Sequence, residues 1–356
     1  MDSPPPIAPP PIAPPAPLGA GLALGGLVLL GLAIVSLGIG ARPLDLDTLI
    51  QALTRPPWSQ PPDHSIDLWP WAILWQVRLP RTLAAVAVGA ALAVAGAIVQ
   101  ALTRNPLGDP GLLGINAGAA LGVVAGLLFL DHPTLTQSSF LALGGAALGT
   151  LAIYTLGSLG PGGFNPLNLT LAGAALTALL SACTTGILVL SQRTLEEIRF
   201  WLVGSLGDRP WPLVAHTLPL IALGLVLAFT LGQALTVLTL GETLAQSLGQ
   251  RIPWIQALSG LGVVLLAGGS VALAGSLSFV GLVVPQGVRR WVGADYGWIL
   301  PYSALGGAIT LLGADVGVRL LGLLPQFPQE LPVGLVLPLV GVPVFLALIY
   351  TPSPRP

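Results

Sequence analysis

The side chains able to do chemistry are few, and their types narrow what this chain can do. All 13 basic residues are arginines; lysine is absent. Without a lysine there is no G-x-x-x-x-G-K-[ST] loop to cradle a nucleotide phosphate, so the chain carries no P-loop ATPase site of its own. The three histidines, His64, His132 and His216, are dispersed, and none lies deep in an apolar run, which leaves a nucleophilic serine without a base in reach. Metal-ligating residues do not cluster in the sequence. The single Cys183 permits no internal disulfide, and its apolar surroundings predict a small buried hydrophobe. Neither an enzyme nor a resident metal or cofactor is expected. What remains is arginine–carboxylate pairing. Arg78 and Arg81 stand three apart and can share a helix face. Such residues either snorkel to the lipid–water interface or form bidentate bonds to carboxylates. Asp315 is the one acid deep in an apolar run, and Arg319 follows at i+4, the order that favours neutralisation of an intramembrane acid.

The elements that must position these groups follow from composition. Only 8% of the 356 residues are charged and 54% are apolar, against about 25% charged in soluble domains. That excludes an ordinary soluble domain, a disordered chain and a nucleic-acid binder, and predicts an all-α polytopic membrane bundle. Residues 1–17 are dense in proline and read as a disordered tail; they lack the positive segment of a signal peptide. Apolar runs then predict ten spans within 18–350, with a short tail at 351–356. They are Leu18 to Gly40, Thr82 to Thr103, Pro110 to Leu130, two spans between Asp131 and Arg193 broken at 157–168, Trp211 to Leu231, Ile255 to Ala274, a short span over 275–291 broken by Pro285, Pro301 to Leu321 and Leu335 to Tyr350. The connection 41–81 holds Trp58, Trp69, Trp71 and Trp75 and is expected to lie partly on the membrane surface. Residues 232–253 are more polar and predict short helices outside the lipid. Glycines at i, i+4 spacing (Gly21/Gly25, Gly118/Gly122/Gly126, Gly145/Gly149, Gly313/Gly317) predict close helix approach.

Ten spans put both termini on one side. If that side is the cytoplasm, the inner face carries Arg104, Arg251, Arg289, Arg290 and Arg355, and the outer face the other eight arginines. The positive-inside rule favours the reverse.

Long motifs resolve the conflict. The stretch from Arg78-Leu-Pro-Arg81 through GAALAVAGAIVQALTRNPLGDPGLLGINAGA (89–119) closely resembles the FecCD-type permeases, the membrane subunits of ABC importers for iron-siderophores, haem and cobalamin. So do LGETLAQSLG (240–249), GSLSFVGLVVPQGVRRWVGADYGWILP (275–301), GADVGVRL (313–320) and ELPVGLVLPLVGVPVF (330–345). The resemblance covers roughly residues 20–350. It departs at Gln286, where the family usually has His.

The resemblance implies ten spans with cytoplasmic termini in a bacterial plasma (inner) membrane, and a permease dimer with the substrate path between its halves. It also implies two ABC ATPase subunits on the inner face and a substrate-binding protein outside. It places Arg78, Arg81 and Arg319 in docking to that binding protein, although the Asp315 pair offers Arg319 a purely structural role. It assigns Gly241, Glu242, Ala245, Leu248 and Gly249 within 232–253 to ATPase coupling. Asn105, Pro106 and Leu107 join spans two and three and are implied in the cytoplasmic gate, with Asn165 and Asn168 on its other side. Arg289 and Arg290 are expected to anchor lipid phosphate or touch the ATPase, and Glu330 to sit in a helix first turn. The implied function is transport of a bulky metal chelate, ferric siderophore ahead of cobalamin and haem. The alternative, an ion-gradient-driven secondary transporter, is disfavoured because the one deep acid already has an arginine beside it.

Overall fold

The computed structural model describes residues 18–40, 44–54, 69–130, 133–160, 166–326 and 331–350. The tails 1–17 and 351–356, Trp58, Asn165 and Glu330 lie outside the described residues. The helices in chain order are α1 (Leu18–Gly38), α2 (Leu46–Thr54), α3 (Trp69–Ala72), α4 (Leu79–Thr103), α5 (Ile115–Phe129), α6 (Leu135–Leu159), α7 (Pro166–Leu190) and α8 (Gln192–Val203). They continue as α9 (Trp211–Thr230), α10 (Gly232–Thr239), α11 (Glu242–Ser247), α12 (Ile252–Val263), α13 (Gly269–Ala274), α14 (Val280–Val292), α15 (Tyr296–Leu321) and α16 (Val333–Tyr350). Among the described residues, seven apolar runs are long enough to cross a bilayer: α1, Pro70–Thr103, α6, α7, α9, Ile252–Ala274 and α15. The shorter α5, α14 and α16 complete a ten-helix bundle.

The core is built around α4. Six of its alanines, Ala84, Ala85, Ala91, Ala93, Ala95 and Ala97, are fully buried, because small side chains let neighbouring backbones close in where lipid supplies no hydrophobic drive. Two helices press closely on it: a Cβ on Gly96 would sit 1.8 Å from the Gly281 carbonyl oxygen of α14, and one on Gly307 of α15 would sit 2.1 Å from the Gly89 oxygen. The glycine spacing seen in the sequence marks helix contact for Gly21/Gly25 on α15 and for Gly118/Gly122 against Gly145 and Leu141. It fails for Gly317, which has no neighbour within 4 Å. Gly313 and Gly317 instead hollow out an apolar cavity of about 780 Å³ between α14, α15 and α16.

Three expectations need correction. The second span does not open at Thr82. Helix starts at Trp69 and runs on, with a π-helical turn over Ile73–Arg78 in which the Leu79 N–H bonds to the Leu74 carbonyl five residues back. Pro80 is the cause: it has no N–H for the Gln76 carbonyl, and widening the turn avoids the ring clash. Nor does Pro285 break its span. Helix α14 passes through it, because the amide of buried Gln100 donates to the Gly281 carbonyl (3.3 Å), the group that Pro285 cannot serve. The interruption comes earlier, at Gly275 and Phe279, both at positive φ. Finally, Cys183 is exposed. Helix α7 packs on α5 and α6 and leaves its other side uncovered, so an apolar run in a membrane chain did not mean burial within the protein.

Candidate functional site

Charged side chains gather at the two ends of the bundle. At one end the finish of α1, the π turn before α4, the last turns of α15 and the loop 204–210 come together. Asp315 is completely buried there. Arg81 grips its carboxylate, with Nε donating to Oδ1 (3.0 Å) and Oδ2 (3.2 Å) and Nη2 donating to Oδ1 (2.8 Å). Arg319 reaches the same carboxylate from one helical turn away, with Nη2 3.0 Å from Oδ2. Arg319 also donates to the Ser36 and Ile39 carbonyls and to Ser36 Oγ, which itself lies 2.8 Å from Thr82 Oγ1. Arg78, only 4% exposed, donates to the Leu37 and Gly38 carbonyls.

The last carbonyls of α1 have no intrahelical donors, and two guanidinium groups supply them at the negative end of the helix dipole. Arg78 and Arg319 are thus structural caps as well as charges. The π turn is what aims Arg78 at α1 while Arg81 faces α15. Arg209 lies in the adjoining loop and donates to the Ser205 carbonyl at 2.7 Å. Burial lowers its pKa to about 10, with the neighbouring Asp208 opposing that shift and Arg81 adding to it. Within this cluster four arginines face two acids, Asp208 and Asp315, which leaves it with an excess of positive charge. The side chain of Arg81 retains 19% exposure and that of Arg319 9%. Sequence reasoning found the three arginines and Asp315; it missed Ser36, Thr82 and Arg209, whose roles depend on tertiary contacts.

At the opposite end lie the loop from Arg104 to Asp109, the helices α10 and α11, the N-terminus of α7 and the end of α14. Gly241 (φ 123°) and Gly249 (φ 83°) bracket α11 in backbone conformations that favour glycine. Ala245 is buried against the bundle, whereas Leu240, Leu244 and Leu248 are exposed. Glu242 opens α11 and pairs with Arg104 at 3.2 Å. In the loop, Asn105 Oδ1 accepts from the Leu107 N–H (2.9 Å), and the side chain of Leu107 is half exposed. Gln286 donates from its amide to Gln100 Oε1 (3.2 Å) and to the Pro106 carbonyl. Asn168 stands in the first turn of α7. The two arginines at the end of α14 turn inward: Arg289 donates to the Tyr296 hydroxyl and Arg290 to the Leu348 carbonyl. Arg104 and Gln100, which organise this end, went unassigned in the sequence.

Among the described residues no group of three or more metal-ligating side chains exists. Residues 27–351 match the FecCD transport family. The chain belongs to that family. It is 46% identical over 277 residues to the probable siderophore transport system permease protein YfiZ of Bacillus subtilis, covering 77% of this chain and 81% of that one. With the hemin transport system permease protein HmuU of Yersinia pestis it shares 42% identity over 286 residues, 78% of this chain and 83% of that one. The fold matches a solved inward-facing structure of a metal-chelate type ABC transporter with a TM-score of 0.79 at 31% identity, covering 93% of this chain and 99% of the other. This FecCD protein is therefore a multi-pass membrane permease of the ABC importer class.

Proposed function

We propose that the chain is the inner-membrane permease of an importer for a bulky ferric chelate, most simply an iron-siderophore, with both termini in the cytoplasm and ATP hydrolysed on separate subunits. The observation that carries this reading is the group of exposed leucines Leu240, Leu244 and Leu248 on and beside α11, a six-residue helix far too short to span a bilayer. Exposed apolar side chains grouped at a water-facing end mark a protein contact, and Gly241, Ala245 and Gly249 fix how they are presented. Mass spectrometry of the chain purified in mild detergent tests it. Near-equal recovery of an ATPase subunit is expected; recovery of the permease alone, from a preparation that keeps other complexes intact, would overturn it.

The remaining assignments follow the same orientation. The arginine-rich end faces outward, and Arg78, Arg81 and Arg319 present positive charge to carboxylates of a substrate-binding protein, with Arg81 as the most accessible of the three. Asn105, Pro106 and Leu107, with Asn168, close the path on the inner side. The uncovered face of α7 carries Ala174, Ala178, Ser181 and Thr185 beside exposed Leu167, Leu171 and Leu179, and in this reading it meets a second permease along the shared path. The same purification tells a homodimer from a pair of paralogues. Ion coupling finds no support at Asp315, whose carboxylate is occupied by two arginines.

A further inference from the structure

Arg104 is the last residue before the gate loop, and it stands in a left-handed conformation (φ 49°, ψ 29°) as the C-cap of α4. Side chains disfavour that region, and glycine is the usual occupant at a helix end. An arginine kept there points to a task for its side chain. That side chain donates to Glu242, the first residue of α11. The turn that follows is a tight unit: Leu107 N–H bonds to Asn105 Oδ1 and Gly108 N–H to the Asn105 carbonyl, both at 2.9 Å. A Cβ on Gly108 would meet Thr103 Oγ1 at 2.9 Å and Gln100 Cα at 3.1 Å, so the turn has no slack against α4. On its far side, Gln286 of α14 holds the Pro106 carbonyl.

We propose that Arg104 is a positioning residue: its ion pair with Glu242 is a strut that carries displacement of α11 into the gate turn 105–108, while Gln286 tethers the same turn to α14. The proposal rests on the reading of α11 as the ATPase contact. The pair suits a strut that must yield. With side chains 35% and 38% exposed, its charges stay solvated when it parts, so it breaks and re-forms without stranding either. A buried pair would lock the turn.

The test uses the assembled complex of the permease with its co-purifying ATPase, in vesicles of bacterial polar lipid. Leu107→Cys reports the turn through its maleimide labelling rate, read on its own peptide by mass spectrometry, with and without ATP and vanadate. The single variants Arg104→Glu and Glu242→Arg and the double swap are compared, each accepted only if it retains bound ATPase. ATP is expected to change the labelling rate by up to about fivefold in the parent, the largest factor that an exposed pair corresponds to. Each single variant should lose most of that change, and the double swap should recover it. Singles that keep the full response, or a double swap that recovers nothing, would overturn the strut. If no ATPase accompanies the parent chain, it is the importer reading that fails.

Discussion

The two charged ends of this permease solve opposite problems with the same residue types. At the end that faces outward in the proposed orientation, one buried aspartate is held by two arginines, and two arginines cap the last carbonyls of α1. Every group named there has a partner, and none can leave without stranding another. At the inner end Arg104 and Glu242 share a single solvated contact, and a glutamine amide holds the gate turn. Burial decides the difference. A buried charge that loses its partner is costly, whereas an exposed pair separates for little. In the proposed orientation, the outward end therefore suits docking without a change of shape, and the inner end suits movement.

Substituting Asp315→Asn breaks that contrast at its strongest point. Arg81 and Arg319 would be left desolvated around a neutral amide, and a loss of about 3–5 kcal/mol in stability is expected. Thermal unfolding of the detergent-purified chain measures it; an unchanged midpoint would show that the arginines find other partners. Gly307→Ala comes next. Its Cβ would fall 2.1 Å from the Gly89 carbonyl, forcing α15 from α4 at about 1–3 kcal/mol, seen as a lower midpoint and reduced membrane yield. Removing the strut with Arg104→Ala should cost no more than about 1 kcal/mol, while ATP-driven gate movement is lost. A large fall in midpoint for this variant would erase the distinction between the two ends.

Much of this is legible in the sequence, and where legibility stops has a physical reason. Seven of the spans follow from apolar length, and the short helices over 232–253 from their polarity. The Asp315–Arg319 pair follows from i, i+4 spacing. Arg81 as the stronger partner of Asp315 does not, because that contact spans 234 positions of sequence. The role of Pro285 is hidden for a similar reason: the group that rescues its helix, Gln100, lies on another span. Proline rules describe an isolated helix, and here a distant amide completes it. Exposure of Cys183 is concealed because lipid-facing and protein-facing apolar residues look alike in composition.

The smallest expected effect has the opposite sign and sharpens the comparison most. Asp109 is a largely buried carboxylate at the inner end that accepts from the Gly111 N–H at 2.8 Å. Burial raises its pKa above the ordinary carboxylate value, and the Gly111 bond only partly offsets this. A raised folded-state pKa means that the folded form holds its proton more tightly than the unfolded chain. The stability this provides is fully present below the unfolded value and is lost as pH rises through the folded one. Asp109→Asn keeps an oxygen for Gly111 and carries no charge to desolvate. At neutral pH it should therefore unfold slightly later than the parent, and the gap should close as pH falls towards about 4. The same Asp-to-Asn change thus destabilises at Asp315, where arginines meet the charge, and stabilises at Asp109, where a backbone N–H does. Destabilisation at both sites across that pH series would mean that Asp109 has a cationic partner in the assembled protein.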